Sequence, residues 1–486
     1  MMLGNLKWAV SSSAFLLTAA LAAGCGGSDT GSSSGGGGAS TTTSGGTGGA
    51  GGTTGGGGTI PTGGTGGSTS TAPDVQDILT TDLNLDLGKL EGTAKIVVWP
   101  AKGSKVVNLE VGGLTIVELT VDGATVDFQV TDGKAAIQVS DESKPATIDM
   151  SYTFTSRPSN AFDGWMGDSG VSLIWPYFCS NLFPCNSFPD DGVTFTMNVT
   201  GYDQNLVAVY PKTTTIDSPS YMPAIAVGAF LKQDLGKTTA GTQVWAWYTA
   251  GQEADVAQGT AHLTDAIDYY EKTYGPYPFG PETGSVSANW GPGGLGGMEH
   301  HPFVHVASDD FFSEEVHAHE AAHAWYGDGV RIACWEDFML SEGTVTYMAA
   351  HSLEKVGGPD IWPDYVDSLT AICTGQDVNT IALPSTCNVI DLFNDPLWSS
   401  VPYIKGACFY EDVADLIGQD KVDEALSEFY AAHKGGAARM NDLIATLESK
   451  ATADQKTTIE QYKTEWLLTE ACPANYATRC GTHQNP

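Results

Sequence analysis

His319 and His323 stand four residues apart, the spacing that places two imidazoles one helical turn from each other and lets both face one ion. Glu320, next in the chain, projects about 100° further round the helix. Zinc takes imidazole nitrogens and carboxylate oxygens in a tetrahedral set and, in catalytic sites, keeps one position for water. His319 and His323 are therefore candidate ligands for one zinc ion per chain, and Glu320 is the candidate general base. Glu342, nineteen residues beyond His323, can return as a third ligand on a second helix. Gly327 and Gly329 permit the turn between the helices, and alanines at 318, 321, 322 and 324 leave room for close approach. Gly343 costs a helix about 1 kcal/mol relative to alanine, so its presence predicts close packing there. His317 is two positions from His319 and points elsewhere. His300, His301 and His305 could form an extra site, but their region reads as loop and strand, which favours surface or supporting roles.

Two helices must position this set. EEVHAHEAAHAWYG and EDFMLSEGTVTYMAAHSLEKVGG both carry helical periodicity, the second ending at Gly357. An earlier helix is predicted from Thr260 to Gly275, and four later ones in KGACFYEDVADLIG, KVDEALSEFYAAH, ARMNDLIATLES and DQKTTIEQYKTEWLLTE. Residues 78–155 read differently. Leu83, Leu85 and Leu87 alternate with polar residues, TAKIVVW follows, and Asp122-Gly123 and Asp132-Gly133 mark tight turns. GVTFTMNVT repeats the alternation with Val193, Phe195, Met197 and Val199 on one face. The expected architecture is multidomain: an N-terminal antiparallel β domain, sandwich-like, over residues 73–205, then a mainly helical α+β domain over 206–470 and a short tail over 471–486.

At this point HEAAH, with SEG placing Glu342 as the distant ligand, resembles the gluzincin zinc aminopeptidases of peptidase family M1, which include alanyl and leucyl aminopeptidases and enzymes like leukotriene-A4 hydrolase. Three further segments resemble family motifs in the same order: YGPYPFG at 274–280, GGMEH at 296–300 and SSVPYIKG at 399–406. The resemblance implies a thermolysin-like catalytic domain. It also implies that Glu299 binds the free amino group of a peptide, that Gly296, Gly297, Met298 and His300 belong to the substrate-binding set, and that Tyr403 donates to the oxyanion. His300 stands where the family usually has asparagine, and nothing after residue 470 could supply the long helical C-terminal domain of many relatives. The glycine-rich stretch before Glu299 lacks the GK[ST] ending of a phosphate loop. A zinc-dependent aminopeptidase acting on peptides with a free N-terminus is the leading expectation. A zinc endopeptidase of the same mechanism, or a non-catalytic cell-surface binding protein on the same scaffold, are the alternatives.

The 22 basic and 57 acidic residues give a formal charge of −35, which argues against nucleic acid or an anionic membrane surface as main partner. No obligate protein partner is evident. Residues 1–25 read as an export signal: one lysine, an apolar run from Ala14 to Ala23 broken by Thr18, and small residues before Cys25. The segment resembles a bacterial lipoprotein signal, with Ala22 where leucine is usual, which implies lipidation of Cys25 and a place on the cell envelope or outer-membrane surface; plain secretion is the alternative. Residues 26–72 are almost entirely Gly, Ser and Thr, the composition of a flexible tether. Eight further cysteines in an exported chain argue for disulfides. Short spacing suggests Cys179 with Cys185, Cys373 with Cys387 and Cys472 with Cys480, leaving Cys334 for Cys408.

Overall fold

Alternation decides the first third of the chain. In the strand Asp77–Asp86, Leu83 and Leu85 are buried while Asp82 and Asn84 are exposed, and Phe195, Met197 and Val199 are buried in Thr194–Thr200. The computed structural model describes residues 72–290 and 296–481. The segment read as an export signal, Cys25 and all but the last residue of the 26–72 segment lie outside the described residues. A six-stranded sheet runs in the order Thr194–Thr200, Asp77–Asp86, Glu91–Trp99, Ala146–Thr153, Thr115–Val121, Ala124–Thr125. Its pairs are antiparallel except the first, where Thr194–Thr200 lies parallel to Asp77–Asp86. More than a hundred residues separate those two strands, enough for the crossover a parallel pair needs. A three-stranded sheet joins Val106–Glu110, Lys134–Gln138 and Phe128–Thr131. At Asp122-Gly123 and Asp132-Gly133 both central residues have positive φ, the requirement of a two-residue type I′ hairpin. A further four-stranded sheet uses Gly164–Met166 and Val171–Leu173 together with Val207–Val209 and Ala226–Gly228, so strands on either side of residue 205 share one sheet.

The second half opens with a five-stranded sheet in the order Leu231–Lys237, Gln243–Tyr248, Glu282–Ala288, Phe303–Ala307, Gly297–Met298. Ten helices are formed among the described residues: α1 (Glu253–Gly259), α2 (Leu263–Tyr274), α3 (Glu314–Ala322), α4 (Phe338–Val356), α5 (Trp362–Cys373), α6 (Val401–Ile417), α7 (Gln419–His433), α8 (Met440–Ser449), α9 (Ala453–Trp466) and α10 (Tyr476–Arg479). The helix expected to open at Thr260 starts instead at Leu263, because the separate α1 ends at Gly259, whose hypothetical Cβ would lie 2.0 Å from the Phe311 carbonyl oxygen. α4 closes at Gly357 with φ +80°, the left-handed C-terminal position glycine favours. No helix among the described residues is long and apolar enough to cross a membrane.

All eight cysteines after Cys25 are bridged, yet only Cys179–Cys185 pairs as short spacing suggested. The others are Cys334–Cys387, Cys373–Cys472 and Cys408–Cys480, with Cα separations of 5.5, 5.7 and 4.8 Å. Loop-closure entropy grows only slowly with loop length, so packing rather than spacing selects the partners. Here the tail after α9 folds back over α5 and α6, which brings Cys472 and Cys480 to them.

Candidate active site

α3 carries the paired imidazoles. Ser313 caps its start by accepting from the Val316 backbone N–H at 3.3 Å, and Glu314 and Glu315 complement the positive end of the helix. The helix is shorter than its periodicity suggested: it ends at Ala322, and His323 is its C-cap, still in helical conformation at φ −58°. His319 and His323 therefore keep their one-turn relation, with ring centroids 5.0 Å apart. α4 returns Glu342 to them. Its Oε2 lies 3.2 Å from His319 Nε2 and 3.5 Å from His323 Nε2.

Each ring is oriented from behind. His323 Nδ1 donates to the Tyr326 carbonyl at 2.9 Å and has Ser341 Oγ at 3.3 Å; His319 Nδ1 has Thr346 Oγ1 at 3.4 Å. Such outer contacts fix the tautomer and leave Nε2 free to ligate. Gly327, at φ +107°, makes room for this, since a Cβ there would sit 2.6 Å from His323 Nδ1.

Glu320 and Glu299 meet on the other side. Ligand atoms of Glu299, Glu320 and His323 lie within 4.8 Å of one another, as do those of His319, His323 and Glu342. Gly297 sits on the edge strand of the five-stranded sheet, where a Cβ would stand 2.3 Å from Glu320 Oε1. Only glycine lets that backbone run so close to the carboxylate. Gly296 precedes it, and Met298 pairs with His305 on the neighbouring strand and is buried.

Tyr403, half-buried near the start of α6, stacks on His319 with centroids 5.9 Å apart and planes inclined by 15°, and meets Phe338 edge-on at 5.8 Å. α6 reaches the site through a glycine contact. A Cβ on Gly343 would lie 2.9 Å from Gly406 Cα and 2.7 Å from the Pro402 carbonyl oxygen. Gly343 thus packs as closely as its place in a helix suggested, and the contact sets Glu342 and Tyr403 on adjoining turns of two touching helices.

The electrostatics call for a cation. Burial and the neighbouring Glu342 push the Glu299 carboxyl up to about 7, although His323 opposes this. Burial, then Glu299 and Glu342, raise Glu320 well above the usual carboxylate range, again against His323. Burial disfavours charge on His323, yet Glu342, Glu299 and Glu320 overcome it and lift the imidazole to about 10. Burial also works against Glu342, but His323 and His319 hold it down at about 2. Asp328, fully buried with both oxygens unpartnered, is raised by burial and by Glu299. Two Nε2 atoms and a carboxylate oxygen, gathered among buried acids, fit a divalent metal by donor chemistry and by charge.

The other histidines weighed from the sequence, His300, His301, His305 and His317, are all buried. His317 bonds Ser285 Oγ at 2.7 Å and the Phe311 carbonyl at 2.9 Å. His301 Nδ1 meets Tyr277 Oη at 3.0 Å. His300 is buried edge-on against His305 at 4.6 Å, and burial keeps both rings neutral. The orienting contacts from Tyr326 and Thr346 are absent from the sequence reading. The first comes from a backbone carbonyl, which leaves no trace in residue type; the second could have been found from Thr346 lying one turn beyond Glu342 on the same helix.

A thermolysin-like helical domain beside a β domain, with two helices presenting His319, His323, Glu320 and Glu342, defines the metallopeptidase class. Residues 300–466 match the peptidase family M1 domain. That match covers about a third of the chain and includes His319, Glu320, His323, Glu342 and Tyr403. It is 24% identical over 378 residues to leucine aminopeptidase 2-1 of Meyerozyma guilliermondii, covering 71% of this chain and 60% of that protein. It is 26% identical over 296 residues to leucine aminopeptidase 2 of Emericella nidulans, covering 55% and 46%. The chain thus spans 60% and 46% of the length of these relatives. Its fold is similar to the M1 zinc metallopeptidase from Deinococcus radiodurans, with TM-score 0.68, 19% identity and coverage of 82% of this chain and 96% of that one. It is also similar to Legionella pneumophila aminopeptidase A, with TM-score 0.66, 19% identity and coverage of 80% and 49%.

Proposed function

We propose that this chain is a zinc-dependent aminopeptidase that releases amino-terminal residues from peptides. The observation that carries the reading is the convergence of His319, His323 and Glu342 on one point, with Glu320, Glu299 and Tyr403 around it. His319, His323 and Glu342 would hold the zinc. When bound, zinc supplies a Lewis acid that polarises the scissile carbonyl and makes water more acidic. Glu320 takes the proton of the attacking water and hands it to the departing amine. Its place against the Gly297 edge strand keeps its carboxylate beside the peptide backbone that this edge would pair. Tyr403 donates from its phenol to the oxygen on which negative charge develops, an interaction worth roughly 3 to 4 kcal/mol for a well-placed donor. Burial and the acids Glu342, Glu299 and Glu320 raise Tyr403 well above its ordinary pKa, which keeps the phenol protonated for that role. Glu299 accepts the substrate's free ammonium and so limits cleavage to the first residue.

The four disulfides support an oxidising compartment, in keeping with export and with lipid anchoring at Cys25 on the cell envelope. The test is a panel of free and N-acetylated aminoacyl amides, assayed before and after chelation and zinc restoration, for the wild type and Glu320→Gln. Free substrates should be cleaved only in the metal-loaded wild type, while Glu320→Gln keeps its zinc and loses hydrolysis. Equal cleavage of capped and free peptides would remove the exopeptidase assignment.

A further inference from the structure

Lys405 lies two residues beyond Tyr403 on α6 and is completely buried. Its three ammonium N–H groups face four oxygens: Asn379 Oδ1 at 2.8 Å and the Glu470 carbonyl at 3.0 Å, with the Thr380 and Thr469 carbonyls further out at 3.4 Å. These partners come from two other parts of the chain, the segment after α5 and the tail after α9. Asn379 Nδ2 donates in turn to the Glu470 carbonyl at 2.7 Å, which closes a three-way knot. Desolvating an ammonium costs several kcal/mol, and these acceptors are neutral groups, so the arrangement is a poor source of stability but a strict geometric constraint. Burial pulls the Lys405 ammonium down to about 8, with the Glu470 charge opposing.

α6 has two working faces. Tyr403, Gly406 and Tyr410 turn to α3 and α4: Tyr403 stacks on His319, Gly406 abuts Gly343, and Tyr410 Oη bonds Thr344 Oγ1 at 2.8 Å. Lys405, Cys408 and Asp412 turn to the end of α9 and the tail after it. Cys408 is bridged to Cys480, and Asp412 binds Trp466 Nε1 at 2.5 Å and pairs with Arg479. The spacings of three, four and seven residues along each face are those of a helix read from two sides.

We propose that Lys405 is a positioning residue for Tyr403, through which the tail fixes the rotation and height of the helix that carries the oxyanion donor. The proposal rests on the aminopeptidase reading above. Its test is a double-mutant cycle on the full, zinc-loaded chain, with Lys405→Met and Asn379→Ala each made alone and in a Tyr403→Phe background. kcat, KM, zinc content and thermal midpoint are measured for each. A misplaced donor loses rate without losing binding, so Lys405→Met should lower kcat by about tenfold or more, leave KM within about twofold, and leave zinc content unchanged. Asn379→Ala, which removes one acceptor, should lower kcat less. In the Tyr403→Phe background both losses should shrink to under about twofold, because the group being positioned is already gone. Persistence of the full loss in that background, or a kcat unchanged in both single variants, overturns the role of Lys405. Should Lys405→Met not fold, the Asn379→Ala cycle decides by the same criterion. A wild type that hydrolyses nothing with zinc bound removes the aminopeptidase reading and this proposal with it, whereas an active wild type with multiplicative losses removes only the proposal.

Discussion

The contact between Gly343 and Gly406 allows a sharp test of how the site is assembled. In Gly406→Ala the new Cβ would stand 2.7 Å from Gly343 Cα and 3.2 Å from Met339 Cγ and Cε. Non-bonded carbons settle at about 3.5 to 4.0 Å, so α4 and α6 must part by about 1 Å at this level. Overpacking of this kind costs about 1 to 3 kcal/mol. Replacing glycine inside a helix returns about 1 kcal/mol, so the net loss of stability should be only about 0 to 2 kcal/mol. Activity is far more exposed, because Glu342 precedes Gly343 on one helix and Tyr403 lies three residues before Gly406 on the other. A displacement of about 1 Å between ligand and donor should cost about a hundredfold in kcat/KM, or roughly 2.7 kcal/mol of transition-state stabilisation. The assay is turnover of a free leucyl anilide by metal-saturated protein, with a thermal melt of the same sample. Gly343→Ala approaches the same gap from the other side, its Cβ 2.9 Å from Gly406 Cα, so the two losses should not add. A well-folded Gly406→Ala protein with activity within about threefold of wild type would refute the reasoning, since it would show that ligand and donor need no close helix contact.

Two further outcomes concern stability. Burial lifts the Asp191 carboxyl to about 8, against the hydrogen bonds from Asn186 and the Ile78 N–H. A raised carboxyl binds its proton more tightly in the folded state, so stability falls as pH rises from about 4 through about 8 and levels off above; denaturation midpoints should be flatter across that window in Asp191→Asn, and equal slopes would count against the assignment. The Cys334–Cys387 bridge closes a sequence separation of 53, for which chain entropy gives about 4 kcal/mol; Cys334→Ala with Cys387→Ala should lose stability of that order in urea titration, and an unchanged midpoint would mean that packing alone holds the segment.

The cluster of His319, His323 and Glu342 was legible because the donor chemistry is written in residue type and spacing. The i, i+4 histidines, the returning glutamate and the helix-interior Gly343 each break a local preference that only a site or a tight contact compensates. The strands of the N-terminal sheet were legible for the opposite reason, since Leu83 and Leu85 or Phe195 and Met197 obey a period of two over a half-exposed surface. The central sheet of the catalytic domain was not. Glu282–Ala288 is buried along nearly its whole length, yet its residues are small and polar, so ETGSVSA has neither the apolar run nor the alternation that marks a strand. Gly284 is required there because a Cβ would lie 2.0 Å from the Trp245 carbonyl oxygen, a crowding set by a strand nearly forty residues away. α5 escaped because its stripe is short, with Pro363 near its start and aspartates between the apolar positions. The disulfide partners were hidden for a related reason: the tail meets α5 and α6 only after the intervening helices have packed.

Arg331 fastens distant parts of the chain to one another. Its buried guanidinium donates to the Asp217 and Gly435 carbonyls at 3.0 and 3.1 Å and to the Asp190 carbonyl at 3.3 Å, and it fills the space where a Cβ on Gly192 would be. One side chain thus ties three chain segments far apart in sequence to a single point, so removing it would leave three carbonyls without that donor.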